Sequence, residues 1–156
     1  MPGDAWSTPH VIKTIVPRFL FQSVDRRSHD GSVAQNDFKT IMADIRLKRA
    51  YEPSSPADGY RVYVDRLWPR GLSHSTFHYD SWDKAIAPST ELREWFHADP
   101  DGRWDEFEAR YEAELRENPA FAELKAEIKG KPVVTLLFSS HDVVRNNAVV
   151  VRKMLA

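Results

Sequence analysis

Apolar and basic residues alternate through residues 45–51, where Ile45, Leu47 and Tyr51 are interleaved with Arg46 and Lys48. A period of two predicts a half-buried strand with Arg46 and Lys48 on one face. Residues 52–59, carrying Pro53, Pro56 and the pair Asp58-Gly59, read as a loop, and residues 60–65, rich in aromatic and β-branched side chains, read as a second strand. Residues 133–138 form an apolar run between Pro132 and Ser139, which predicts a central strand covered on both faces.

Between the second and third of these strands the period changes to that of helices. Ser89 is placed to cap a helix carrying Leu92, Trp95 and Phe96. Asp99-Pro100 reads as N-cap and first helical position for a helix with Trp104, Phe107, Tyr111 and Leu115 on one stripe, and Asn118-Pro119 repeats the signal before Phe121, Leu124 and Ile128. Gly130 can close that helix in the left-handed region. A last helix is expected from about His141 to Leu155, with Val144, Ala148, Val151 and Leu155 on one side. This order predicts an α/β fold: a small three-layer sandwich with a short, mainly parallel sheet and a helical insertion between the second and third core strands. The aromatic stripes read as core.

Residues 1–41 carry turn-rich clusters and no sustained period, and Pro17 interrupts their one apolar stretch. They are expected to be a disordered arm, or to precede a true start at Met42, leaving 42–156 as one domain. Lys13, Pro17 and Arg18 argue against a secretory signal.

Composition narrows the classes further. The chain has no cysteine, which removes thiolate chemistry and Cys-ligated metals and fits a cytoplasmic, reducing compartment. No apolar run is long enough for a membrane span. Net charge is -1, so any anion site must be local. Residues 89–129 hold twelve acids and six bases, whereas the remainder of 42–156 holds eleven bases and seven acids. The sheet-forming half is therefore the basic one.

In a parallel sheet ligands bind beyond the carboxyl ends of the strands. The second strand leaves through Asp65-Arg66-Leu67-Trp68-Pro69-Arg70-Gly71, and the third through Ser139-Ser140-His141-Asp142. If these exits adjoin, Arg66 and Arg70 can grip a phosphate or carboxylate, with Ser139, Ser140 and the free amides of a helix opening there as further donors. Trp68 can supply a flat wall, Asn146 a polar group, and Asp65 can orient an arginine or act as a base. Each has a plainer structural alternative: Asp65 paired with Arg66 or Arg145, Trp68-Pro69 as a packed turn, the serines as caps.

Weaker constellations are set aside. His74 and His78 are four apart without a third ligand, so no metal is expected. Gly71, Gly102 and Gly130 stand alone, so neither a dinucleotide fingerprint nor a Walker-type loop is present, and no cofactor is expected. Ser139 lacks a nucleophile elbow.

The run 65–71, Trp82, residues 87–93, Trp95-Phe96, residues 134–137 and the run Asn146-Asn147-Ala148-Val149-Val150 together resemble the bacterial YeaO-like proteins grouped as domain of unknown function 488. The resemblance spans residues 44–155. It implies an uncharacterised α/β domain of bacterial origin and supports Met42 as the usual start. Where members often carry a His before the Asn of the last motif, this chain has Arg145, so a proton-carrying role for that His is not transferable.

The expected function is binding of a small phosphorylated or carboxylated ligand, a nucleotide among the candidates, at the carboxyl edge of the sheet, with no membrane partner. The alternative is a protein or nucleic-acid interaction module using Arg46, Lys48, Arg49 and Tyr51. The near-neutral charge and the placing of basic residues along an edge strand argue against nucleic acid.

Overall fold

The computed structural model describes residues 42–156. The expectations for residues 1–41 therefore lie outside the described residues. Strands β1 (Asp44–Arg49), β2 (Tyr60–Tyr63), β3 (Ser81–Trp82) and β4 (Val133–Phe138) form one sheet in the order β1-β4-β2-β3, with every neighbouring pair parallel. The apolar run of residues 133–138 is central and buried from Val134 onward, as its composition requires. The two-residue β3 is the element that no sequence period announces.

Helices α1 (Thr90–His97), α2 (Pro100–Glu117) and α3 (Pro119–Ile128) separate β3 from β4, and α4 (Asn147–Leu155) follows β4. The anticipated caps form. Ser89 Oγ accepts the Leu92 amide at 3.2 Å, Asp99 Oδ1 the Gly102 amide at 3.1 Å, and Asn118 Oδ1 the Ala120 amide at 3.0 Å. Ser89 also gives its N–H and O–H to the Glu114 carboxylate, which fixes the start of α1 against α2.

Among the described residues the four helices pack on one face of the sheet. Ile45, Leu47, Val62, Val64, Leu136 and Phe138 point there, against a core that includes Phe96, Phe107, Tyr111 and Val151. The other face is covered by irregular chain: a cluster of Tyr63, Phe77 and Leu137 with Trp68, Tyr79 and Trp82, and a 3-10 turn at Pro56–Asp58. Among the described residues no helix is long and apolar enough to cross a membrane.

That turn explains the basic strand. Asp58 is buried and accepts Lys48 Nζ at 3.0 Å, the Ser55 amide at 2.9 Å and the Arg61 guanidinium. Arg46 is paired to Asp44 and to the Ala57 carbonyl. Gly59 follows the turn at φ 62°, and a Cβ there would lie 2.3 Å from the Val133 carbonyl oxygen, so glycine is required for the backbone to meet β4. Burial pushes the Asp58 carboxyl upward, but the Ser55 amide, Lys48 and Arg61 outweigh it and hold it below its ordinary value.

The last helix starts later than its apolar spacing suggests. Asn146, not a residue near His141, is the N-cap, with its side chain accepting the Val149 amide at 3.1 Å. Upstream, Asp142 Oδ1 accepts the Val144 and Arg145 amides at 2.9 Å each, and Ser140 Oγ accepts the Asp142 amide. These side-chain bonds give the backbone an alternative to helix, and Val144, counted toward the core face, is 68% exposed.

At the carboxyl edge Asp65 joins three elements. Its Oδ2 accepts the Ser139 amide at 2.8 Å and the Ser139 hydroxyl, and its Oδ1 accepts Asn147 Nδ2 at 3.0 Å. Truncation in Asp65→Ala leaves those donors without an acceptor and is expected to cost about 2 kcal/mol in urea unfolding. For Asp58, whose folded pKa is depressed, the stabilisation is present above the unfolded value and lost as pH falls through the folded one. Asp58→Asn is therefore expected to unfold about 3 kcal/mol more easily than wild type at pH 7, with the gap closing below about pH 4. A gap unchanged at pH 3 would show that the ion cluster contributes nothing.

Candidate functional site

Because β2 and β4 are parallel neighbours, the segments that follow them leave side by side. Together with α1 and the residues before it they enclose a cleft of about 530 Å³ at the carboxyl edge of the sheet. Asp65, Arg66, Trp68, Arg70, Ser139, Ser140 and Asn146 all line it. Co-localisation is thus a fact of the fold, while the contribution of each side chain differs.

Arg66 donates one hydrogen bond, to the Pro88 carbonyl at 3.2 Å, and Arg70 is exposed with no partner among the described residues. Arg93, on the second turn of α1, is a third guanidinium lining the cleft. Among the described residues none of these three forms an ion pair. Counting Arg145, the lining holds four arginines against Asp65 and Asp142, a surplus of two positive charges with histidines neutral. Ala87, Pro88, Phe96 and Phe107 supply apolar wall.

Two expectations are corrected here. Ser139 and Ser140 do not open a helix, so they offer no row of free helical amides. The Ser139 amide and hydroxyl are committed to Asp65, and the Ser139 and Ser140 carbonyls are held by Arg49 at 3.3 and 2.9 Å. Asp65 in turn pairs with neither Arg66 nor Arg145. Its oxygens face neutral donors, an arrangement that suits an anchor better than a base whose lone pair must reach a substrate proton.

Trp68 is fixed by Nε1 donating to the Leu72 carbonyl at 2.7 Å, by the His74 ring at 4.0 Å between centroids, and by edge contacts with Phe77 and Trp82. It is a rigid wall of the cleft as well as part of the aromatic layer. Beneath it the Tyr63 hydroxyl donates to the Leu67 carbonyl at 2.7 Å, and burial, then the charge of Asp65, push that phenol well above its ordinary pKa. Asn146 is buried and works as a cap, while its neighbour Asn147 reaches Asp65. Asp142 is held below the ordinary carboxylate range by the Arg145 and Val144 amides and by the Arg145 side chain.

Arg49 and Arg93 are the cleft-shaping residues whose part at this edge local pattern did not reveal, whereas the poor helix propensity of Asn at 147 already pointed to a polar role there. Arg49 reads as one more basic residue on a strand, and only a partner some ninety positions away reveals its use. Arg93 sits inside the 87–93 run without a spacing of its own to mark it. Among the described residues no three His, Asp or Glu side chains are grouped to hold a metal. His74 lies on Trp68, and the His78 carbonyl accepts Arg61 Nε at 2.9 Å.

Comparison with known proteins places the chain in a family. The family described as the inactive DUF488-N3 subclade matches residues 44–156. The uncharacterised protein Rv3073c of Mycobacterium tuberculosis is 43% identical over 111 residues, covering 71% of this chain and 92% of that protein. The uncharacterised protein YeaO of Escherichia coli is 41% identical over 112 residues, covering 72% of this chain and 96% of that protein. No solved structure matches the chain. With the family model matching residues 44–156 and these relatives in agreement, the chain belongs to the YeaO-like DUF488 family, in the subclade described as inactive.

Proposed function

We propose that the domain binds a small phosphorylated or carboxylated ligand, nucleotides included, at the carboxyl edge of its sheet, and that it does so without catalysis. The observation that carries this is the convergence of Arg66, Arg70 and Arg93 on one cleft with no carboxylate partner among the described residues. Elsewhere in the domain Lys48, Arg61, Arg110, Arg116 and Lys153 are paired with acids. Guanidiniums held near each other repel and gain from an anion that bridges them in the bidentate manner. The apolar walls and Trp68 suit a ligand with a flat or apolar part. Absence of catalysis is supported by the engagement of Asp65 with Ser139 and Asn147 and by the family's description as inactive. A cytoplasmic location belongs to the same proposal.

The interaction-module reading has less to stand on. Arg46 and Lys48 are paired with Asp44 and Asp58, and Arg49 is turned onto the carbonyls after β4, so the first strand presents no free basic face.

Calorimetric titration with inorganic phosphate, a nucleoside monophosphate, a hexose phosphate and a small dicarboxylate is expected to reveal one ligand class with affinity that falls as salt rises. Arg70→Ala is expected to weaken that binding by about tenfold or more. Indistinguishable titrations for wild type and Arg70→Ala would refute the site.

A further inference from the structure

We propose that Arg145 sets the length of ligand the cleft accepts: paired with Asp101 it closes one end, and released from Asp101 it becomes the second anion-binding group for a ligand carrying two phosphate or carboxylate groups. This rests on the anion-site proposal above and specifies its ligand class.

A second hollow of about 420 Å³ adjoins the cleft. The two share Phe96, His97, Ser140, Asp142 and Arg145, and the second adds Pro100 and Asp101 from the first turn of α2. Arg145 therefore stands where the two meet. Its guanidinium makes two ion pairs of different character. Nε meets Asp142 at 3.0 Å, and Asp142 is itself fixed by the Val144 and Arg145 amides, so this contact is a pivot. The other contact, from Nη1 to Asp101, reaches a carboxylate whose side chain is 83% exposed and which makes no other hydrogen bond among the described residues.

Exposed pairs of that kind contribute little and are screened by salt. A phosphate that takes a guanidinium through two parallel hydrogen bonds competes with them readily. Asp101 loses little on release, because the first turn of a helix favours a negative charge and water already reaches most of its surface. Arg66, Arg70 and Arg93 would hold the first anionic group. Arg145, turning about Asp142, would take the second and join the two hollows into one groove.

The test is calorimetric titration of the full chain with a hexose monophosphate and the corresponding bisphosphate, using wild type, Asp101→Asn and Arg145→Ala, each shown to be folded by circular dichroism. Asp101→Asn is expected to tighten bisphosphate binding roughly two- to fivefold, the worth of an exposed pair, and to leave the monophosphate unchanged. Arg145→Ala is expected to bring the bisphosphate down to the affinity of the monophosphate. Equal effects of Asp101→Asn on both sugars, or none on either, would overturn the role of Arg145 while leaving the anion site standing. Failure of every protein to bind either sugar phosphate would likewise overturn this role, whereas the anion site itself stands or falls with the Arg70→Ala titrations above. Asp101 lies on the surface, so that variant decides the matter even if Arg145→Ala does not fold.

Discussion

The Asp65 carboxylate is the constraint from which the site follows. Backbone pairing brings β2 and β4 together only as far as Tyr63 and Leu137, and the chain beyond each strand would otherwise be free to diverge. One carboxylate then accepts the amide and hydroxyl of Ser139 and the side chain of Asn147, so the exit of β2, the exit of β4 and the start of α4 share a single acceptor. Arg49 completes the arrangement from β1 by holding the carbonyls of Ser139 and Ser140. Backbone groups that lie outside any ladder are satisfied by side chains from other strands, which is what lets a non-helical loop persist at a partly buried edge.

A division of charge accompanies that division of labour. On the sheet face away from the helices, basic side chains at alternate positions would be costly to cover unless neutralised, and Asp58 supplies the neutralisation for Lys48 and Arg61 together. At the carboxyl edge no such acid is provided for Arg66, Arg70 or Arg93. The family of side chains is the same, and the difference lies in whether the turn that covers them brings a carboxylate. Positive charge around the sheet therefore has two separate meanings, one structural and one concentrated at the cleft, where Arg93 joins it from the otherwise acidic helical segment.

Much of this was legible in the sequence, and the boundary of legibility is physical. The three caps at Ser89, Asp99 and Asn118, and the strand at residues 133–138, are set by interactions within a few positions, so local pattern finds them. The adjacency of the two exit loops was conditional in the sequence, since parallel-sheet rules put ligands at the carboxyl edge but do not say that β2 and β4 are neighbours, which the β2–β4 ladder provides. What escaped is what depends on partners far along the chain. Arg49 bonds across about ninety positions and Asp65 across more than seventy, and β3 exists because Val62 and Tyr63 offer it an edge. The start of α4 lies beyond the point that apolar spacing predicts for a related reason: Asp142 and Ser140 offer the backbone closer partners than the helix would, and apolar spacing cannot register that competition.

The contrast between Asp65 and Asp142 shows how one edge can hold two carboxylates with different consequences. Asp65 is surrounded by neutral donors, so it fixes geometry without cancelling any arginine nearby. Asp142 is met by two backbone amides and by Arg145, so it pairs with one guanidinium and leaves the other three without an ion pair. Had the roles been exchanged, with Asp65 paired to Arg66, the cleft would have its walls and its depth but one guanidinium fewer free to grip an anion. The orientation of Asp65 toward Ser139 and Asn147 thus does two things at once: it builds the cleft, and it leaves the cleft's guanidiniums free to pair with an incoming anion.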